Sequence, residues 1–281
     1  MKAQTITKST MDRVINDRAF FETLGNIYPA SPTVKISETT IADVKCYWFE
    51  PQNIGTENIM VYVHGGSFAL GSINSHQAMV SHIAEHTKMK ILFIEYSLAP
   101  EHPFPVAIHE IVNVYQTLLR TNPKSKITFI GDSAGGGLTV SSIHAMNKNK
   151  LELPLSIVLI SPWLNLRCNT NSYKTRQHLD PILTQQNLLE YAQYYIGSNG
   201  SLSDPAELLF SSFPPTFLLV GSNEVLYDDA KNFYDEIKPI QSHTTFKVYQ
   251  NQTHVWLLTD ISSDKSKEAL QDISDFIRFI Q

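Results

Sequence analysis

The chain has 281 residues, of which 42% are hydrophobic and 17% charged, with a formal net charge of −5 and two cysteines. That length and apolar content suffice for one large core, and an acidic balance without a lysine–arginine cluster argues against nucleic acid, itself a polyanion, as a partner. Cys46 and Cys168 make no disulfide framework and lack metal-ligand spacing, so both are expected as free thiols.

From the N-terminus, Met1 to Thr10 is polar and has no continuous apolar segment of the kind that directs secretion. The longest apolar run, Leu153 to Trp163, is broken by prolines and serines, so no membrane partner and a cytoplasmic address are expected. Short apolar runs predict strands near 33–38, 44–49 and 59–63. The third runs into His64-Gly65-Gly66-Ser67-Phe68, whose small residues leave backbone amides, those of Gly65 and Gly66 foremost, free to face an anion. Taken alone, two glycines after a strand are as well explained by a tight turn.

The next helical segment contains His82-Ile83-Ala84-Glu85-His86, which fits the His-x-x-Glu-His pattern of inverted zinc peptidases and puts both imidazoles on one face. A third ligand is not marked anywhere, and the segment joins two sheet strands with its outer face toward solvent, so no metal is expected. A strand near 91–96 leads into Tyr96-Ser97-Leu98-Ala99-Pro100-Glu101, and Ala107, Ile108, Ile111, Val112, Tyr115, Leu118 and Leu119 then recur at helical spacing.

The strand 127–130 empties into Gly131-Asp132-Ser133-Ala134-Gly135-Gly136 and a helical stretch to Met146. A serine on so tight a turn has a strained backbone, and bulk two residues to either side would collide with it; Gly131 and Gly135 remove that bulk. Ser133 is thereby presented as a nucleophile, and the amide of Ala134 becomes a further donor. Later strands are predicted near 155–160, 216–220 and 245–249, with an insertion rich in tyrosine, asparagine and serine over about 165–212. Leu270, Ile273, Phe276, Ile277 and Ile280 mark a terminal helix that packs on the sheet. Because strand and helix alternate, the central sheet is expected to be largely parallel.

His64-Gly65-Gly66, then Tyr96 to Glu101, then Gly131 to Gly136 occur in an order that resembles the bacterial hormone-sensitive-lipase-like carboxylesterases of the α/β-hydrolase superfamily. The resemblance extends over nearly the whole chain through Ser161-Pro162-Trp163, Asp180-Pro181-Ile182-Leu183-Thr184, Pro214-Pro215 and Gly221-Ser222-Asn223-Glu224. It implies an α/β-hydrolase fold with a mostly parallel eight-stranded sheet flanked by helices. A single domain over 1–281 is expected, with a small cap from about 1–32 and 165–212, no cofactor, and a small-molecule ester of short acyl chain as substrate. Two positions depart from the pattern. Ser67 stands where a third glycine is usual, so a positive φ there would cost about 1 kcal/mol more than with glycine. Ser97 stands where arginine is usual, which puts that arginine's contacts in doubt.

A serine hydroxyl is a poor nucleophile at neutral pH and needs a base, itself oriented by a carboxylate. In the resembled fold these partners follow the serine in the order acid, then histidine, on loops after late strands. His254, just past the last predicted strand, is the implied base; His178 and His243 read as surface residues. Glu224, at the end of strand 216–220, is the implied acid, although aspartate is commoner there. Asp228 is the next choice, while it and Asp229 have a simpler explanation at a helix N-terminus. Phe20, Phe21, Tyr28, Tyr191, Tyr194 and Tyr195 are candidate pocket residues by resemblance, with Phe68 and Asp132 added. Tyr191 and Tyr195, spaced one turn apart with Leu188 and Ala192, are equally read as glue between a cap helix and the body, which is the favoured reading.

The expected activity is therefore carboxylic ester hydrolysis through an acyl-enzyme. Its rivals are a non-catalytic ligand-binding protein on the same fold and a zinc hydrolase built on His82 and His86. Amide, carbamate and acetylated-sugar substrates stay open, as does a homodimer formed by pairing the edge strand 245–249 across a two-fold axis.

Overall fold

The computed structural model describes residues 7–197 and 204–281; residues 1–6 and 198–203, which fall within the two expected cap segments, lie outside the described residues. Eight strands among the described residues form one sheet: β1 (Val34–Ile41), β2 (Val44–Pro51), β3 (Ile59–Val63), β4 (Lys90–Ile94), β5 (Ile127–Asp132), β6 (Ser156–Ile160), β7 (Thr216–Gly221) and β8 (Thr244–Tyr249). Their spatial order is β1-β2-β4-β3-β5-β6-β7-β8. β2 runs antiparallel to both β1 and β4, and every pairing from β4 through β8 is parallel. The first strand runs three residues beyond its expected end because Ala42 and Asp43, both at positive φ, close a two-residue hairpin that prolongs the ladder. The fourth stops at Ile94, two residues short of the expected limit.

Central strands such as β3, Ile-Met-Val-Tyr-Val, are buried at every residue, as a parallel strand covered on both faces must be. Period-2 alternation divides them between two cores. Val61, Val63, Phe129, Leu218 and Val220 join one core, and Met60, Tyr62, Ile130, Phe217 and Leu219 the other. After α1 (Lys8–Glu22), the long helices sort the same way. α2 (Ile73–Thr87) covers one face and α3 (Val106–Thr121) with α4 (Ser133–Lys148) the opposite one. The short α5 (Ser172–Thr175) and α6 (Gln185–Ile196) follow β6, and α7 (Tyr227–Ile237) joins the α3 side. α8 (Trp256–Thr259) and α9 (Asp264–Ile280) finish on the α2 side, where Leu270, Ile273 and Ile277 are buried. Each such aliphatic side chain contributes roughly 1.5–3 kcal/mol when fully buried, so truncating Leu218 to alanine should cost about 2–5 kcal/mol.

Among the described residues no helix is long and apolar enough to cross a membrane. Cys46 and Cys168 are free and buried, and burial pushes each thiol up to about 12. Ser97 uses both its N–H (2.7 Å) and its hydroxyl (2.6 Å) to hold the Glu110 carboxylate of α3.

Candidate active site

The parallel strands deliver their carboxyl ends, and the loops that follow them, to one edge of the sheet. β5 ends at Asp132, and Ser133 opens α4 with φ +50, a left-handed backbone that costs a non-glycine residue on the order of 1–3 kcal/mol. The turn persists because α4 is pressed against β3: a Cβ on Gly135 would lie 2.0 Å from the Val63 carbonyl oxygen, and one on Gly131 would lie 2.6 Å from that of Gly135.

Ser133 Oγ lies 2.8 Å from His254 Nε2, and His254 Nδ1 lies 3.0 Å from Glu224 Oε2. The three residues come from loops after β5, β8 and β7 and are only 6%, 7% and 0% exposed. A carboxylate facing Nδ1 fixes the proton on that nitrogen, which leaves Nε2 to accept from the serine hydroxyl. The other Glu224 oxygen, Oε1, accepts from the Ser161 hydroxyl (2.7 Å) and the Gly221 N–H (2.5 Å). Burial raises the Glu224 carboxyl, opposed by His254, Ser161 and the Gly221 amide. Burial works to lower the His254 imidazole, but the hydrogen bond and charge of Glu224, with Asp180 and Asp132 behind, outweigh it and raise the group.

The loop after β3 corrects one expectation. The Gly65 N–H donates to Asp132 Oδ1 at 3.0 Å, where the Tyr62 hydroxyl also donates at 2.7 Å, so Gly65 does not offer its amide to a ligand. Gly66 and Ser67 border the cavity over Ser133, and their amides meet no acceptor among the described residues. Ala134 adds a first-turn N–H of α4, which has no intrahelical partner. Ser67 does adopt a positive φ, +54. His64, buried and neutral because burial lowers it to about 3, stacks on Tyr96 (4.3 Å between centroids) and braces the loop from below.

The cavity has a volume of about 460 Å³. Leu70, Val255 and Leu258 line it from the body, and Phe20, Phe21, Leu24, Leu183 and Leu188 from α1, the turn after it, the loop before α6 and α6 itself. Tyr191 borders it and donates its hydroxyl to Asp17 at 2.6 Å. Other pocket candidates fall elsewhere. Phe68 and Tyr195 stack on each other at 4.0 Å, 2% and 3% exposed, in the core behind the cavity wall, because the two rings bury more area against each other than against an open space. Asp132 touches the cavity, but its carboxylate is engaged by Tyr62 and Gly65, which makes it a strut for the loop rather than a substrate contact. Tyr28 donates to the Leu257 carbonyl and Tyr194 to Glu190.

The remaining rivals are placed away from Ser133. Asp228 accepts from the Ser172 N–H, and Asp229 accepts from Tyr173 and the Leu164 and Asn165 amides while burial pushes it up to about 7. His178 and His243 are exposed. His82 contacts the Pro29 carbonyl and His86 the carbonyl of His82. Among the described residues no group of three or more His, Cys, Asp or Glu side chains is placed to hold a metal ion.

Sequence reasoning missed Arg13, Asp17 and Asn187, which line the cavity, and Asp180, whose carboxylate ties the Ile182, Leu183 and Val225 amides together. Asp180 stood out only as part of the Asp180-Pro181-Ile182-Leu183-Thr184 resemblance, with no role attached, and the i,i+4 charge pair Arg13–Asp17 reads as surface decoration.

A sequence family described as alpha/beta hydrolase fold matches residues 60–258. A protein of Acinetobacter venetianus named esterase is 32% identical, covering 98% of this chain and 93% of its own length. A Streptomyces hygroscopicus protein named acetyl-hydrolase is 31% identical, with 95% and 88% covered. Among solved structures, an esterase from the bacterial hormone-sensitive lipase (HSL) family superposes with a TM-score of 0.89 at 27% identity, covering 98% of this chain and 99% of that one.

Proposed function

The chain belongs to the α/β-hydrolase family and is a carboxylic ester hydrolase of the hormone-sensitive-lipase-like kind, and from that premise we propose that it cleaves short-chain acyl esters through Ser133, His254 and Glu224. The observation that carries this reading is the unbroken run of contacts from Glu224 Oε2 to His254 Nδ1 and from His254 Nε2 to Ser133 Oγ.

In the cycle, His254 Nε2 takes the Ser133 proton as Oγ attacks the ester carbonyl carbon. The oxyanion of the tetrahedral intermediate accepts hydrogen bonds from the N–H groups of Gly66, Ser67 and Ala134, whose positions are fixed before the charge appears. His254, now imidazolium beside Glu224, returns its proton to the alcohol oxygen, and the C–O bond breaks to leave an acyl-Ser133. Water then enters, His254 removes its proton, and the same steps release the acid and regenerate Ser133.

The short-acyl reading is supported by the similarity to a protein named acetyl-hydrolase, and the cavity of about 460 Å³ must hold the acyl group and the alcohol together. The reading is tested with nitrophenyl esters from acetate to palmitate and with Ser133→Ala. Turnover is expected to peak at acetate to butyrate and to vanish in the variant; a maximum at palmitate would refute the short-chain assignment, and persistent turnover in Ser133→Ala would refute the nucleophile.

A further inference from the structure

We propose that Ser161 is a positioning residue of this site, a fourth side chain that holds both the acid and the histidine loop in register. The inference rests on the catalytic reading of Ser133, His254 and Glu224. Ser161 follows β6, a strand that contributes none of those three residues, and is fully buried. Its hydroxyl works in both directions at once. It donates to Glu224 Oε1 at 2.7 Å and accepts from the Val255 N–H at 3.2 Å.

Both contacts answer a local difficulty. A glutamate has one more rotatable bond than the commoner aspartate, so its carboxylate needs an anchor on the oxygen that does not face the imidazole; Ser161 and the Gly221 N–H supply it. Val255, next to His254, is a β-branched residue held at φ +43, a conformation that persists only where its surroundings over-determine it. The Ser161 oxygen takes its N–H. Ser161 itself sits at φ +48, with its own N–H bonded to the Leu219 carbonyl at 2.7 Å, so the hydroxyl is aimed by a strained backbone that a glycine would adopt more readily.

That strain supplies the control. Ser161→Gly removes the hydroxyl while relaxing the backbone, so it separates loss of the contact from loss of the fold; Ser161→Ala removes the hydroxyl and keeps the strain. Both are expected to lower kcat on nitrophenyl acetate about 10-fold or more with little change in KM, because the missing bonds act on the base rather than on the ester. Both should also lower the pH at which His254 titrates, since a poorly anchored carboxylate stabilises the imidazolium less. The charged groups facing His254 are Glu224, Asp180 and Asp132, and none of the three is itself replaced in these variants, so a shift reports the loosened Glu224 carboxylate. The titration is read twice, from the acid limb of kcat/KM and from the downfield proton resonance of the His254–Glu224 hydrogen bond, which needs no substrate. A Ser161→Gly protein with wild-type kcat and an unmoved midpoint would overturn the proposal, as would reduced kcat with an unmoved midpoint in both readings. Absence of turnover in the wild-type enzyme would instead defeat the esterase reading and leave the resonance to judge Ser161.

Discussion

The two walls of the cavity are held by different forces. On the body side, Ser133, His254 and Glu224 are nearly inaccessible, and their loops are fixed by buried hydrogen bonds that Ser161 and Gly221 donate to Glu224 and that Asp180 accepts from Val225. On the facing side, α1 buries only Val14, and its grip on the rest is by polar contacts: Arg13 to Glu190 (2.6 Å), Asp17 to Tyr191 (2.6 Å) and Arg18 to Glu101 (2.7 Å). Phe20 is 76% exposed at the end of this wall. Exposed ion pairs contribute only about 0–1 kcal/mol each, whereas breaking a buried, hydrogen-bonded charge pair costs on the order of 3–5 kcal/mol. On the proposed mechanism, bond-making falls to the rigid wall and choice of substrate to the wall that tolerates change.

The largest effects should fall on the rigid wall. Replacing Ser133 or His254 by alanine is expected to lower kcat by about 10⁴-fold or more, because members of such a unit fail together. Glu224→Gln should lose somewhat less, about 10²–10⁴-fold, since the oxyanion donors and the serine–histidine contact survive. Steady-state kinetics on nitrophenyl acetate, with circular dichroism to check folding, measures both; a loss under 10-fold in Glu224→Gln would move the acid elsewhere and break the contrast drawn here.

The pH profile sharpens the same contrast. The His254 imidazole is raised above its ordinary 6.5, so the neutral base is lost as pH falls through that raised value, and kcat/KM should decline on an acid limb whose midpoint lies above 6.5. Glu224→Gln removes the group that raises it and should move the midpoint down. Asp17→Asn, on the facing wall, should leave it in place. A midpoint that followed Asp17 would mean the two walls are electrostatically one site.

Substitutions on the facing wall should be gentler. Asp17→Asn and Tyr191→Phe each weaken one part-buried hydrogen bond to a charged group, worth roughly 1.5–3 kcal/mol, that holds the wall and not the reacting atoms, so KM should rise about ten-fold with kcat unchanged. The Arg13 contacts should weaken with salt, since exposed charges are screened by ions and the screening length shrinks from about 10 Å at 0.1 M to about 3 Å at 1 M. Measuring KM for acetate and butyrate esters between low and 0.5 M salt tests this, and a kcat that collapsed with Asp17→Asn would show that the wall takes part in the chemistry.

How much of this was legible in the sequence follows the same division. The strands, the elbow at Ser133 and the loop-end residues Glu224 and His254 were readable because each depends on a short segment: an apolar run, then a small-residue turn. Gly65 was misread because the direction of its amide is set by Asp132, 67 residues further along the chain, and nothing local says that Asp132 points back at it. Phe68 was misplaced for a like reason, since an aromatic near a site can face the cavity or a second ring and only packing decides; Tyr195, its partner in the stack, packs between α6 and the body as the favoured reading has it. Arg13 and Asp17 carry no signal beyond helical spacing, because their place at the cavity is set by contacts with Glu190 and Tyr191, 177 and 174 residues further along the chain.

The smallest effect is also the most diagnostic of the loop. Ser67 occupies φ +54 where relatives by resemblance carry glycine, so Ser67→Gly relieves about 1 kcal/mol of backbone strain in the folded state. The same change frees the unfolded chain, which destabilises by about 0.4–1 kcal/mol, and the two nearly cancel. Thermal unfolding should therefore shift by only about 2 °C or less in either direction for a chain of this size. The Ser67 amide is retained, so kcat should change less than about two-fold unless the freed loop spends time with that amide out of position. A kcat reduced 10-fold or more at unchanged stability would show that the serine side chain, by restricting the loop, preorganises the oxyanion donors, and the rigid wall would then owe part of its rigidity to the departure from glycine.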